Sequence, residues 1–157
     1  MALRKIVQVG DDVLRKKCFE VTKFDEKLHL LLDDMKETLQ DAKGAGLAGP
    51  QVGVLRRIFV IDIENEGYFE MINPVILSKS GSQYVTEGCL SVRGKWGELE
   101  RPNNVTVKYQ DRFGKEHKIK ASGFFAQAIC HENDHLDGVL YIDKADCVYN
   151  ENEKGKK

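Results

Sequence analysis

The run Phe124-Phe125-Ala126-Gln127-Ala128-Ile129-Cys130-His131-Glu132-Asn133-Asp134-His135-Leu136 decides how this chain folds. Its apolar residues recur at helical spacing, and Phe124, Phe125, Ala128, Ile129 and Leu136 fall on more than one side of that helix. A surface helix is apolar along one stripe only, so this one is expected in the centre of the molecule, stopped by Gly138. Its second half carries His131-Glu132-Asn133-Asp134-His135, an H-E-x-x-H pentad. Positions i and i+4 share a helix face, so both imidazoles can bind one divalent metal with Glu132 beside it to handle protons.

Working outward, the order of elements is helix, several strands, then this helix. Leu28, Leu31, Leu32, Met35, Leu39 and Ala42 mark an N-terminal helix, with Asp25 as N-cap and Gly44 as its stop. Residues 44–51 read as a glycine-rich loop stiffened by Pro50. It lacks the Lys-Ser/Thr ending of a phosphate-binding loop. Strands are expected over 57–64 and over 69–77, with Asn73-Pro74 marking an edge or bulge, and residues 83–86 lead into the block around Cys89. A hairpin follows, 105–110 with 115–120 across a turn at 111–114. The pattern predicts an α+β fold, antiparallel β-sheets packed around a central metal-bearing helix, with an N-terminal helix. Residues 1–157 are expected to be a single domain with a flexible, Asn/Glu/Lys-rich tail from about residue 147.

Two imidazoles need a third protein ligand. A metzincin protease continues H-E-x-x-H-x-x-G-x-x-H, and here Gly138 is in place but Tyr141 stands where the last His belongs. A thermolysin-type Glu from a later helix has only Glu151 and Glu153 to draw on, both in the polar tail. Upstream, Cys89 in Glu87-Gly88-Cys89-Leu90-Ser91 is a candidate that would complete a Cys-His-His set with one open position. A lone cysteine is as readily a small buried hydrophobe.

Composition sets the frame. Basic and acidic residues nearly balance (24 and 25) and are interspersed, giving no electrostatic case for nucleic acid or a membrane surface. No apolar run approaches the ~20 residues of a membrane span. No secretory h-region is visible, and disulfides among Cys18, Cys89, Cys130 and Cys147 are not expected in a domain of this size. A cytoplasmic location is expected, where a thiolate ligand stays reduced. Cys18, Cys130 and Cys147 are read as packing residues.

Three blocks then line up with one family. Gly44-Ala45-Gly46-Leu47-Ala48-Gly49-Pro50-Gln51, Glu87-Gly88-Cys89-Leu90-Ser91 and Cys130-His131-Glu132-Asn133-Asp134-His135-Leu136-Asp137-Gly138 resemble, in order and separation, the three motifs of the bacterial-type, iron-dependent peptide deformylases. The likeness runs from Ile6 to Asp143. Four positions depart from it: Gly49 for a usual Ala, Cys130 for Gln, Arg93 for a common Pro, and Asp12 for Pro.

The resemblance implies removal of the N-formyl group from the N-terminal formylmethionine of newly made proteins, releasing formate through a metal-bound water. It implies Cys89, His131 and His135 as ligands of one divalent ion, Fe(II) in the cell, with Zn, Ni or Co as substitutes. Glu132 would be the acid/base, and the Gln51 amide with the Leu90 N–H would stabilise the oxyanion. By motif position, Val85, Phe124, Ala128 and Ile129 are candidates for the methionine pocket, with Ala45 at its mouth. Backbone groups of Gly46 and Gly88 could align an extended peptide as an added strand. Arg101 is a candidate partner of Glu87 or Asp134. The expected partners are N-formyl-methionyl peptides and nascent chains, with the ribosome exit region left open. A metal-dependent endopeptidase of H-E-x-x-H type is the alternative, sharing the pentad but leaving Cys89 and Gln51 unexplained. A catalytically silent metal-binding protein would have no need of Glu132.

Overall fold

A computed structural model describes residues 2–151. Helix α1 (Glu26–Ala42) starts where Asp25 accepts a hydrogen bond from the Leu28 N–H at 3.1 Å. It ends at Lys43, one residue before the predicted stop, because Lys43 itself takes the left-handed conformation (φ 57°) and its N–H closes onto the last turn.

Two antiparallel sheets follow. The larger has the order β1-β2-β3-β6-β7, from β1 (Gly46–Ala48), β2 (Ile58–Ile63), β3 (Gly67–Ser80), β6 (Asn104–Gln110) and β7 (Glu116–Ser122). The smaller is β4-β5-β8, from β4 (Gln83–Cys89), β5 (Val92–Arg101) and β8 (Cys147–Asn150). Alternation along β2 explains its unbroken apolar run. Ile58 and Val60 pack with Leu28, Leu32, Met35 and Leu39 of α1, while Phe59 and Ile61 pack with Phe125, Ile129 and Leu136 on the other side. Strand side chains point alternately to opposite faces, and at β2 both faces of the sheet are covered.

Helix α2 (Gly123–His135) is the central helix, buried from Phe125 to Glu132 and again at His135. It lies against the larger sheet and reaches β5 of the smaller one. Gly138, at φ 74°, turns the chain directly after it, and a Cβ there would meet the Arg15 carbonyl oxygen at 2.5 Å. The short helix α3 (Tyr141–Lys144) then leads to β8.

The structure corrects several expectations. Residues 46–48 are not loop but strand β1, paired to β2 through Ala48↔Phe59. The Asn73-Pro74 irregularity is a bulge and not an edge, since β3 lies between β2 and β6; Asn73 has φ 51° and the register shifts between Ile72 and Val75. β5 was not foreseen. Residues 147–150 are not a loose tail but β8, paired to β5 from Glu98↔Cys147 to Lys95↔Asn150. Cys147 is accordingly exposed on that strand and not packed, whereas Cys18 and Cys130 are buried in the main core; all four cysteines are unpaired. Glu153, Lys154, Lys156 and Lys157 lie outside the described residues.

Candidate metal centre and peptide cleft

β1 ends one sheet and β4 ends the other, and their unpaired edges face across a cleft of about 440 Å³. Gly44, Ala45 and Gly46 line one side, Thr86 to Leu90 the other, and α2 closes the floor with Phe124, Gln127, Ala128, His131 and Glu132.

At the floor, Cys89, His131 and His135 bring their donor atoms within 4.8 Å of one another. Cys89 Sγ lies 3.4 Å from His135 Nε2. Sulfur and nitrogen ligands on a tetrahedral zinc-like ion sit about 3.5 Å apart, from bond lengths near 2.3 and 2.0 Å, so this spacing suits a shared ion. Beside them Glu132 Oε1 is buried without a hydrogen-bond partner, and Glu132 Oε2 is 3.9 Å from His131 Nε2. A buried oxygen left unpaired is costly unless a ligand, water or ion completes it. The donor set therefore fits one divalent, borderline-soft ion.

The helix supplies the two imidazoles, and strand β4 aims the first of them. His131 Nδ1 lies 2.7 Å from Glu87 Oε1. Arg101 grips the same carboxylate through two 2.8 Å bonds and donates a third, also 2.8 Å, to Asp134 Oδ2. Arg101 thus binds both of its candidate partners. Lys144 Nζ adds a second cation to Asp134 at 3.1 Å. The sequence names Glu87 only as a candidate partner of Arg101, not of His131; the signal for a place at the site is that i and i+2 on a strand share a face, so Glu87 points the same way as Cys89.

Gln51, 1% exposed, is fixed at both ends of its amide. Its Oε1 accepts from the Ala48 N–H at 2.9 Å, and its Nε2 donates to Ser91 Oγ at 3.0 Å and lies 3.5 Å from Cys89 Sγ. The amide nitrogen therefore faces the thiol and the cleft. Ser91, fully buried, was also unforeseen. Around Leu90, the Gln8 amide donates to the Leu90 carbonyl at 2.9 Å, and the Val9 N–H donates to the Ser91 carbonyl at 2.7 Å.

The surroundings favour positive charge at this point. Burial opposes an imidazolium at His131, yet the Cys89 thiol and the Glu87 and Glu132 carboxylates outweigh it and push the His131 pKa well above its ordinary value. His135 goes well below, through burial first and then the charges of His131 and Arg101. Burial raises Glu132 to about 7, a value matched to proton transfer near neutrality. The groups that draw a proton onto His131 would equally draw a metal cation.

Of the predicted pocket residues, Ala45, Gly46, Gly88, Phe124 and Ala128 line the cleft, Phe124 at its mouth and 54% exposed. Val85 does not. It pairs with Leu99 and packs on Val92, Leu99, Leu140 and Tyr141, a cluster behind Cys89. Ile129 is fully buried in the main core. Cys130 is likewise in that core, and burial raises its thiol pKa. At the Gly49 departure, a Cβ would stand 2.7 Å from the Val54 carbonyl oxygen and 2.9 Å from that of Arg56, so the backbone here leaves no room for alanine.

An α+β fold holding a Cys-His-His donor set and a buried carboxylate at the floor of an open cleft defines a metal-dependent hydrolase. The chain belongs to the polypeptide deformylase family, whose model matches residues 3–151. It is 58% identical over 144 residues to the peptide deformylase of Caldicellulosiruptor bescii, covering 92% of this chain and 86% of that one. It is 49% identical over 154 residues to that of Thermoanaerobacter pseudethanolicus, covering 98% and 96%. The crystal structure of peptide deformylase from Thermotoga maritima superposes with a TM-score of 0.90 at 42% identity, over 92% of this chain and 99% of that one. No helix among the described residues is long and apolar enough to cross a membrane.

Proposed function

We propose that this chain hydrolyses the N-formyl group from the N-terminal formylmethionine of newly made proteins, releasing formate. The observation that carries this reading is the convergence of Cys89, His131, His135, Glu132 and Gln51 on one cleft between two open sheet edges. Cys89, His131 and His135 would hold one divalent ion, which we assign as Fe(II) in the cell, with Zn, Ni or Co able to replace it. When bound, the ion supplies Lewis acidity at the formyl carbonyl and makes water acidic enough to attack near neutral pH.

The protein does the rest. The peptide enters extended, its backbone groups pairing with the β1 edge at Gly46 and the β4 edge at Gly88. The methionine side chain enters the apolar part of the cleft near Ala45, Phe124 and Ala128. Glu132 takes the proton of the attacking water and delivers it to the departing amine. The Gln51 Nε2 and the Leu90 N–H donate to the developing oxyanion; both are held by neighbours beforehand, so no reorganisation is needed as charge builds. Residues 1–157 act as one catalytic unit, and we place it in the cytoplasm. Contact with the ribosome exit region would fall to surfaces away from the cleft.

The test is formate release from formyl-Met-Ala-Ser by metal-loaded protein, beside an unformylated peptide of the same sequence. Formate from the first and no cleavage of the second is expected. Internal peptide cleavage without formate release would favour the endopeptidase alternative and end this reading.

A further inference from the structure

The hairpin that carries Cys89 is uneven. Cys89 pairs with Val92 but Glu87 pairs with Gly97, so Arg93, Gly94, Lys95 and Trp96 all stand opposite Gly88 alone. Gly94, at φ 76°, turns this excursion, and all of its residues line the cleft. It is a built wall and not a loose loop. β8 pairs with it through Lys95↔Asn150 and Trp96↔Tyr149, and the Tyr141 hydroxyl donates to the Lys95 carbonyl at 3.1 Å. The Trp96 ring packs so closely on Gly88 that a Cβ there would meet ring carbons at 3.0–3.4 Å.

The excursion carries unbalanced charge. Arg93 and Lys95 are exposed, and neither side chain enters an ion pair or side-chain hydrogen bond among the described residues. Of the carboxylates lining the cleft, Glu87 is buried and paired to Arg101 and His131, and Glu132 is buried at the floor. Glu151 is the remaining one among the described residues, leaving the rim they form with a surplus of positive charge. An extended peptide that pairs with Gly88 must run past this wall.

We propose that the Arg93–Trp96 excursion, clasped by β8, reads the residues that follow the formylated one and favours acidic side chains there over basic ones. This inference rests on the deformylase reading. The peptides formyl-Met-Glu-Glu, formyl-Met-Gln-Gln and formyl-Met-Lys-Lys test it by their kcat/KM ratios within a single preparation, which cancels differences in metal loading. Exposed charges at a few ångströms discriminate modestly and are screened by salt, so at low ionic strength we expect Glu-Glu over Lys-Lys by roughly tenfold. The ratio should shrink to within about twofold at high salt, and also in the Arg93→Gln/Lys95→Gln double variant at low salt. Binding to the Glu132→Gln variant, followed through the sole tryptophan Trp96, should rank the peptides in the same order. Equal rates for the three peptides, preference for Lys-Lys, or a preference that survives in the double variant would overturn the proposal. Absence of formate from all three would instead overturn the reading beneath it.

Discussion

His131 Nδ1 lies 2.7 Å from Glu87 Oε1, so a strand carboxylate aims the imidazole that the helix carries. With Nδ1 donating to Glu87, Nε2 keeps its lone pair for the cleft. Removing that partner while leaving Cys89, His131 and His135 intact should weaken metal binding. We expect Glu87→Ala to lower affinity about 10–100-fold, measured by competition with a chelator. Affinity within twofold of the parent would show that Glu87 does not orient the ligand.

The same carboxylate links acid stability to the site. Burial would raise the Glu87 pKa, but hydrogen bonds from Arg101 and His131 and their charges hold it at about 2, against an ordinary 4.5. A carboxylate depressed on folding contributes stability above its unfolded pKa and loses it as pH falls through the folded one. For metal-free protein, the contribution of up to roughly 3 kcal/mol should be present above pH ~4.5 and disappear toward pH ~2. Asp34, Asp111 and Asp143 are also depressed and share the acid range, so the informative comparison is with Glu87→Gln. Melting temperature should fall less steeply with acid in that variant; parallel curves would refute the assignment.

Glu132 is separable from metal binding. Glu132→Gln should retain metal at near full occupancy by elemental analysis yet lose ~10²–10⁴ in turnover. Activity within a few-fold of the parent would remove Glu132 as the acid/base.

Gly46, by having no side chain, leaves the space that the Glu132 carboxylate occupies. A Cβ on Gly46 would lie 2.5 Å from Glu132 Oε2 and 2.8 Å from its Cδ. Gly46 has no positive φ, so the substitution acts through contact and not backbone strain. Gly46→Ala should cost on the order of 10² in kcat, because small displacements of a reacting group are expensive. Added to Glu132→Gln it should cost little more, since both changes disable one group. Additive losses would place the role of Gly46 elsewhere.

The two cysteines near the metal should separate cleanly. Cys89→Ser should lose most metal binding, because a hydroxyl is a far poorer anionic ligand than a thiol. Cys130, 4% exposed and turned into the core, should tolerate serine with little change in turnover and a stability cost of about 1–3 kcal/mol for an unpaired buried hydroxyl. Loss of metal in Cys130→Ser with retention in Cys89→Ser would reverse the ligand assignment.

What the sequence determined by itself is local in character. Helical spacing puts His131 and His135 on one face and Phe125, Ile129 and Leu136 on others, so a buried helix with a two-histidine edge followed from periodicity alone. The α1 cap at Asp25, strand β2 and the β6–β7 hairpin are equally short-range, each decided by residues a few positions apart. Tertiary structure decided what depends on distant chain segments meeting. Cys89 joins the histidines across more than forty positions, and Arg101 joins Glu87 to Asp134 only because β5 folds back beside α2. β8, Cys147-Val148-Tyr149-Asn150, is too short to carry a pattern of its own, and forms because β5 offers it an unpaired edge. Val85 is apolar and shares the strand face of Glu87 and Cys89, yet it pairs with Leu99 and packs on Val92, Leu99, Leu140 and Tyr141, outside the cleft lining. Register is set by pairing with another strand, and a single strand's residues do not carry that information.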